Sequence, residues 1–271
     1  MKLTPSAFYN EQQKHLNIWW QGSIVLLVLL AFNIFLSLID NRLLADEALW
    51  IKPLKFESSI IIHFITLAVL ATLLSPEKRN GKAWKITSYM VVAAGLFEAL
   101  YIFLQAARGR ESHFNNSTVV ESTMYGLMGL GAVILVAGSF YLGWLLYRVF
   151  LYREYQSKQN SVLLLSSSLG LTIGSVLTLI IAGYLSSATA GYSIEENAEN
   201  VMRLPIVSWY LNGEDLRIPH FFATHMMQFF PLYGLWLTRR NVSIDDGKRK
   251  VYWSVGVYTA LVLLLFVLGV F

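Results

Sequence analysis

Long apolar runs alternate with short polar stretches along the whole chain, and seven of the runs reach the length of a membrane crossing. They lie at about 22–39, 58–75, 85–107, 123–147, 162–185, 218–237 and 251–271. About 20 apolar residues span a hydrocarbon core of ~30 Å as a helix. Helix is the element such a segment has to adopt, because in lipid its backbone hydrogen bonds must close within the segment. The pattern predicts an all-α polytopic membrane protein, a bundle of seven transmembrane helices forming a single domain over 1–271. In the tail, 1–21, Thr4-Pro5 reads as a helix start, and Phe8, Leu16, Trp19 and Trp20 fit the inner interface. The first run lacks a small-x-small cleavage pattern and reads as a retained helix.

Composition supports this reading. Only 14% of the 271 residues are charged and mean hydropathy is +0.51, against about 25% charged in an ordinary soluble domain. There is no cysteine, which excludes disulfides, thiolate catalysis and Cys-ligated metal or iron–sulfur centres. The tail and the loops near 76–86, 148–160 and 238–250 hold 14 Lys/Arg against 5 Asp/Glu. The loops near 40–57, 107–122 and 186–217 hold 7 against 11. The positive-inside rule then places the N-terminus in the cytoplasm and the C-terminus outside, an alternation that requires an odd number of spans. The net charge of +4 reflects this sidedness and is no argument for a nucleic-acid partner.

Small residues mark two runs. Gly170, Gly174, Thr178 and Ala182 recur at i+4 in the fifth, and Gly126, Gly129 and Gly131 cluster in the fourth. Such faces let helix backbones approach closely, and they also make room for a flat cofactor. Pro231 is expected to kink the sixth run. The loop 186–217 is long and acidic and carries Trp209-Tyr210, as caps and lids do.

Apart from Lys85 at the very edge of the third run, Glu98 is the one formal charge inside the runs, and a charge at mid-membrane costs roughly 2.5–3.5 kcal/mol on insertion scales. It shares a helix face with Tyr101 and Gln105 at i, i+3, i+7. In the second run Ser59, His63 and Thr66 form one stripe, and in the sixth Arg217, His220, Thr224, His225 and Gln228 fall on one face. Counted from the outer ends, His63, Glu98 and His225 come to comparable depth on three helices. Lys52, Lys55, Arg108, Arg110 and Arg217 give the outer mouth a basic rim. Singly, each residue has an ordinary role: an interhelical hydrogen bond for His63, a protonated carboxyl for Glu98, interfacial anchoring for the arginines, a helix cap for Asp215. Their conjunction points to a shared site.

Three chemistries fit it, the first preferred and the other two its alternatives. The first is a b-type haem with His63 and His225 as axial ligands, Arg108, Arg110 and Arg217 on the propionates, and Glu98 as a proton-active neighbour. The second is a non-haem Zn or Fe enzyme acting on a lipid-like substrate, its metal ligands drawn from His63, His225, His220 and His113, with Glu98 as ligand or general base. The i+5 spacing of His220 and His225 is poor for joint ligation, and no H-E-x-x-H motif is present. The third is a transporter or sensor with no cofactor, in which Glu98 and the histidines carry protons or hold a small anionic molecule or anionic lipid at the outer mouth. The last run contains no lysine, so a retinal Schiff base of the usual kind is not supported.

The segments Trp50 to Phe56, Gln105 to Asn115 and Gly213 to Gln228 resemble motifs of an uncharacterised family of bacterial seven-helix inner-membrane proteins. That resemblance implies a bacterial inner (cytoplasmic) membrane placement and no residue role. A superficial likeness to seven-helix metal-dependent ceramidases departs at the histidine pair of the sixth run, H-x4-H here rather than H-x3-H.

Overall fold

A computed structural model describes residues 5–44, 47–152, 160–187, 204, 209, 215–240 and 242–270, with side chains from residue 18 onward, that of residue 160 excepted. Among the described residues the chain is all-α apart from one short hairpin. The helices are α1 (Pro5–Ile39), α2 (Ile51–Ala71), α3 (Pro76–Asn80), α4 (Lys82–Ala107), α5 (Val119–Leu151), α6 (Asn160–Leu185), α7 (Arg217–Arg239) and α8 (Ile244–Val270). Strands β1 (Leu43–Leu44) and β2 (Glu47–Ala48) pair antiparallel. Six helices are long and apolar enough to cross a membrane: α1 over Ile18–Ile39, α2, α4, α5, α6 and α8. They make the chain a multi-pass membrane protein. α7 has a comparable length, 23 residues, but its polar face leaves it outside that set.

Helix α1 starts at Pro5, as predicted, while His15 and the other side chains of the tail up to residue 17 lie outside the described residues. Most of 186–217 does too. Several helices begin earlier than the apolar runs, α2 and α5 among them: Leu54 N–H already donates to Trp50 O at 3.2 Å, and Ser122 N–H to Thr118 O at 2.9 Å. A run read by hydropathy stops at a charge, whereas the helical ladder does not. In consequence Glu98 is not the lone carboxyl within the helices. Glu57 in α2 and Glu121 in α5 are buried as well.

The chain divides into two compact units, Met1–Gly138 and Ser139–Phe271. In the first, Phe64 of α2 is the central plug. A Cβ on Gly95 of α4 would stand 2.6 Å from Phe64 Cζ, and one on Gly22 of α1 would stand 3.1 Å from Phe64 Cε2. Both glycines therefore exist as slots for this ring. Trp19 closes the cluster, edge-on to Phe64 at 5.7 Å and stacked on Trp84 at 6.2 Å. Trp19 is thus a core residue of this unit rather than an interfacial one; its neighbour Trp20 is exposed.

At one end of this unit a polar staple joins three helices. The Arg42 guanidinium donates to both Asp40 carboxylate oxygens, with its Nη2 at 2.7 Å from Oδ2, and reaches Ala107 O at the end of α4. Trp50 Nε1, just before α2, donates to the same Asp40 Oδ2 at 2.9 Å. The bonds from Arg42 hold the Asp40 carboxyl well below the usual carboxylate range and push the guanidinium up.

In the second unit the glycine stripe of α6 is spent on packing against α7. A Cβ on Gly170 would meet Phe230 Cβ at 2.6 Å, and one on Gly174 would meet Ala223 O at 3.2 Å. On α7, Gly234 leaves the same kind of room for Ser166. Ser166 Oγ donates across the contact to Phe230 O at 2.5 Å, and Tyr258 Oη of α8 donates to Phe222 O at 2.9 Å. Helix α7 continues through Pro231 to Arg239. Of the three glycines expected to act together in α5, only Gly131 meets a neighbour; a Cβ added at Gly126 or Gly129 would find nothing within 4 Å.

Two outcomes test this packing. Gly95→Leu should lower stability by about 1–3 kcal/mol in thermal melts of the purified protein, because the added side chain would collide with Phe64 and Ile60. Gly126→Ala should leave the melt unchanged within error. For the staple, a carboxylate with a depressed folded pKa contributes stability above its unfolded value of about 3.9 and loses it as pH falls from there. Asp40→Asn should therefore melt earlier than wild type at neutral pH, with the difference shrinking below about pH 4.

Candidate functional site

Helix α4 carries Glu98, Tyr101 and Gln105 on one face, all buried. The Glu98 carboxyl lies against the backbone of α5: a Cβ on Gly131 would stand 2.8 Å from Glu98 Oε1 and 3.6 Å from its Cδ. Glycine at 131 therefore makes the space that the carboxyl fills. Neither Glu98 Oε1 nor Tyr101 Oη has a hydrogen-bond partner. Their surroundings explain why. Tyr101 packs with Ile102 and Met128, bordered by Phe56, Phe97 and Met124, so this stretch is walled by apolar groups. A buried polar atom without a partner costs about 1–3 kcal/mol, and two on successive turns of one helix are unusual.

One and two turns further along α4 the polar line becomes fully bonded. Gln105 Nε2 donates to Glu111 O at 2.9 Å, and Gln105 Oε1 accepts from Arg108 Nη1 at 2.7 Å. Glu121, buried at the start of α5, accepts from Arg110 Nη1 at 2.8 Å, lies 3.4 Å from Arg108 Nη2, and also accepts from Ser117 Oγ. Two half-exposed guanidiniums thus share one buried carboxylate. The arginines expected to clamp an external anion are already held by the chain's own Glu121, and the trio keeps one net positive charge.

His113 lies in the connection between α4 and α5, its Nδ1 3.0 Å from Ser112 Oγ and its ring between Phe56 at 5.3 Å and Tyr125 at 6.1 Å. The next residue, Phe114, adopts φ 57°, the left-handed region that a bulky side chain rarely enters. It packs on the same Tyr125 at 5.3 Å. Such strain persists only where surrounding contacts dictate it, and here the connection is shaped to hold both rings over Tyr125. His63 stands half-buried on α2 in the same unit.

The second unit holds the other expected ligands. Arg217 grips Asp215, with Nε 2.8 Å from Oδ1 and Nη2 2.6 Å from Oδ2, and Asp215 Oδ1 also accepts the Arg217 N–H. Asp215 thus takes up the N–H of the first residue of α7, but the N-cap position itself is Leu216, which makes no side-chain cap bond. His225 sits against Phe221 at 4.2 Å and Phe229 at 6.1 Å, while Trp209 covers Phe221 at 5.1 Å. The Nδ1 atom of His220 is buried without a partner. Thr224 meets Thr178 of α6 at 3.4 Å.

Among the described residues no three His, Asp or Glu side chains converge as a metal site would require. His63, Glu98 and His113 belong to the first unit, and His220, His225 and Arg217 to the second. Sequence reasoning missed Glu121 as the partner of the arginines, Gly131 as the seat of Glu98, and the buried pair Asn33 and Glu57. Asn33 was the signal available, a carboxamide in the middle of an uncharged run whose other polar residues, Ser23 and Ser37, lie near its ends. Comparison of the chain with protein-family models, with curated proteins and with solved structures returns no match.

Proposed function

We propose that this chain is a seven-span protein of the bacterial inner membrane, N-terminus cytoplasmic and C-terminus outside, that works as a proton-linked transporter or sensor. Glu98 is its proton-binding group. The observation that carries this reading is the buried Glu98 oxygen without a hydrogen-bond partner, seated against Gly131 and followed along α4 by Tyr101 and Gln105. An intramembrane carboxyl of this kind is by default a functional group. The face leads to the Arg108–Glu121–Arg110 trio, whose net positive charge suits a small anion or an anionic lipid headgroup. Helix α7 supplies the seventh span, since its 23 residues are enough to cross ~30 Å and Thr224 of its polar face meets Thr178 of α6. Orientation rests on the charge asymmetry of the loops.

Proteoliposomes loaded with a pH-sensitive dye test the proposal. Wild-type protein should conduct or exchange protons, Glu98→Gln should abolish the signal, and Tyr101→Phe should reduce it severalfold. Flux that is unaltered in Glu98→Gln would rule out this role.

A further inference from the structure

Asn33 of α1 and Glu57 of α2 are both fully buried, and together they form a carboxyl–carboxamide pair. Asn33 Nδ2 donates to Glu57 Oε2 at 3.1 Å. The remaining oxygen of each group, Asn33 Oδ1 and Glu57 Oε1, is buried without a hydrogen-bond partner. Both orphans are acceptors, so no rotation or amide flip can join them. An ionised carboxylate offers only acceptors, and a flipped amide would turn two oxygens toward each other.

No cation offsets a charge here. Among the described residues, no Lys, Arg or His forms an ion pair with Glu57. Between Ile18 and Ile39, α1 carries no charged residue at all. On α2, Lys55 is engaged by Glu47 at 2.6 Å, and the charges that act on Lys52 are Glu111, Glu47 and Lys55 rather than Glu57. On α4 the buried charged group is Glu98, which is seated on Gly131 of α5. A carboxylate buried without a counter-charge is among the most expensive arrangements a fold can contain.

We propose that Glu57 and Asn33 form a proton-binding site, in which one proton on Glu57 Oε1 donates to Asn33 Oδ1 while Asn33 Nδ2 donates to Glu57 Oε2. The result is a closed ring of two hydrogen bonds between a neutral acid and an amide. A single proton satisfies both orphaned oxygens and removes the uncompensated charge. No other described group in the surroundings does either. The site is separate from the Glu98 face and stands whether or not Glu98 carries protons. It also fastens α1 to α2: loss of the proton would leave two acceptors and a charge at the contact between these helices.

Infrared spectroscopy of the full chain in lipid nanodiscs tests this. Near neutral pH the wild-type protein should show the carbonyl stretch of a protonated carboxylic acid, shifted on transfer to heavy water. Glu57→Gln should lose that component, while Glu98→Gln should retain it. Gln can rebuild the two-bond ring with Asn33, so the variant is expected to fold. Asn33→Leu provides the independent arm: the acid band should persist but move to higher frequency, as its carbonyl loses the amide donor. A Glu57→Gln difference spectrum that contains carboxylate bands instead would overturn the proposal. So would carboxylate bands that respond to exchanging Na⁺ or K⁺, which would mark a cation site, and so would an Asn33→Leu acid band at an unchanged position.

Discussion

Inside a membrane-spanning helix there is no water to complete a hydrogen bond, so each polar side chain placed there depends on another part of the same protein. This constraint organises both units. In the second, Ser166 gives its hydroxyl to the Phe230 carbonyl where Gly170 and Gly234 let α6 and α7 approach, and Tyr258 gives its own to Phe222, tying α8 to α7. In the first, Asn33 gives one N–H to Glu57. What is left over after such pairing in the first unit's described helices is Trp19 Nε1, Arg79 Nε, Glu98 Oε1, Tyr101 Oη and the remaining oxygens of the Asn33–Glu57 pair. Apolar packing makes the frame, and these remainders are where it stores chemistry.

Charge at the ends of the helices follows a different rule, because there the groups are half in water. Arg108 and Arg110 are half-exposed yet share a buried Glu121, and Arg217 forks onto a buried Asp215. In each case the carboxylate is inside and the guanidinium outside. Arginine suits this arrangement, since its long stem covers apolar surface while its planar head makes several bonds at fixed angles. The arrangement fixes the acids without freezing the surface. It also means that any anion arriving at Arg108 and Arg110 meets cations that are already partnered, and competes with Glu121 for them.

How far the chain can be read in advance differs from residue to residue. The apolar runs locate the long helices well, and the Gly170–Gly174 stripe is recognisable as a packing face because small residues at i+4 have few other uses in a helix. Glu57 and Glu121 fall in loops on a hydropathy reading, because a run ends at the first charge, whereas backbone bonding carries α2 and α5 past them. Gly126 and Gly129 show the opposite error: their composition matches a packing face, but no neighbour approaches them. A one-residue change in position is a turn of about 100° around the helix axis, and spacing alone does not say which side meets a partner.

The sequence by itself determined that this is an all-α multi-pass membrane protein, for length and hydropathy are local properties that no tertiary contact can reverse. It also determined that ionisable groups lie within the helices and that cysteine chemistry is absent. Only the tertiary structure decided which groups meet: Asn33 with Glu57, Glu121 with two arginines, Glu98 with the bare backbone of Gly131, Phe64 with the slots at Gly22 and Gly95. The reason is geometric. Partners on different helices are chosen by the rotation and register of each helix against its neighbours, and those depend on every side chain in the contact rather than on any stretch of sequence read alone.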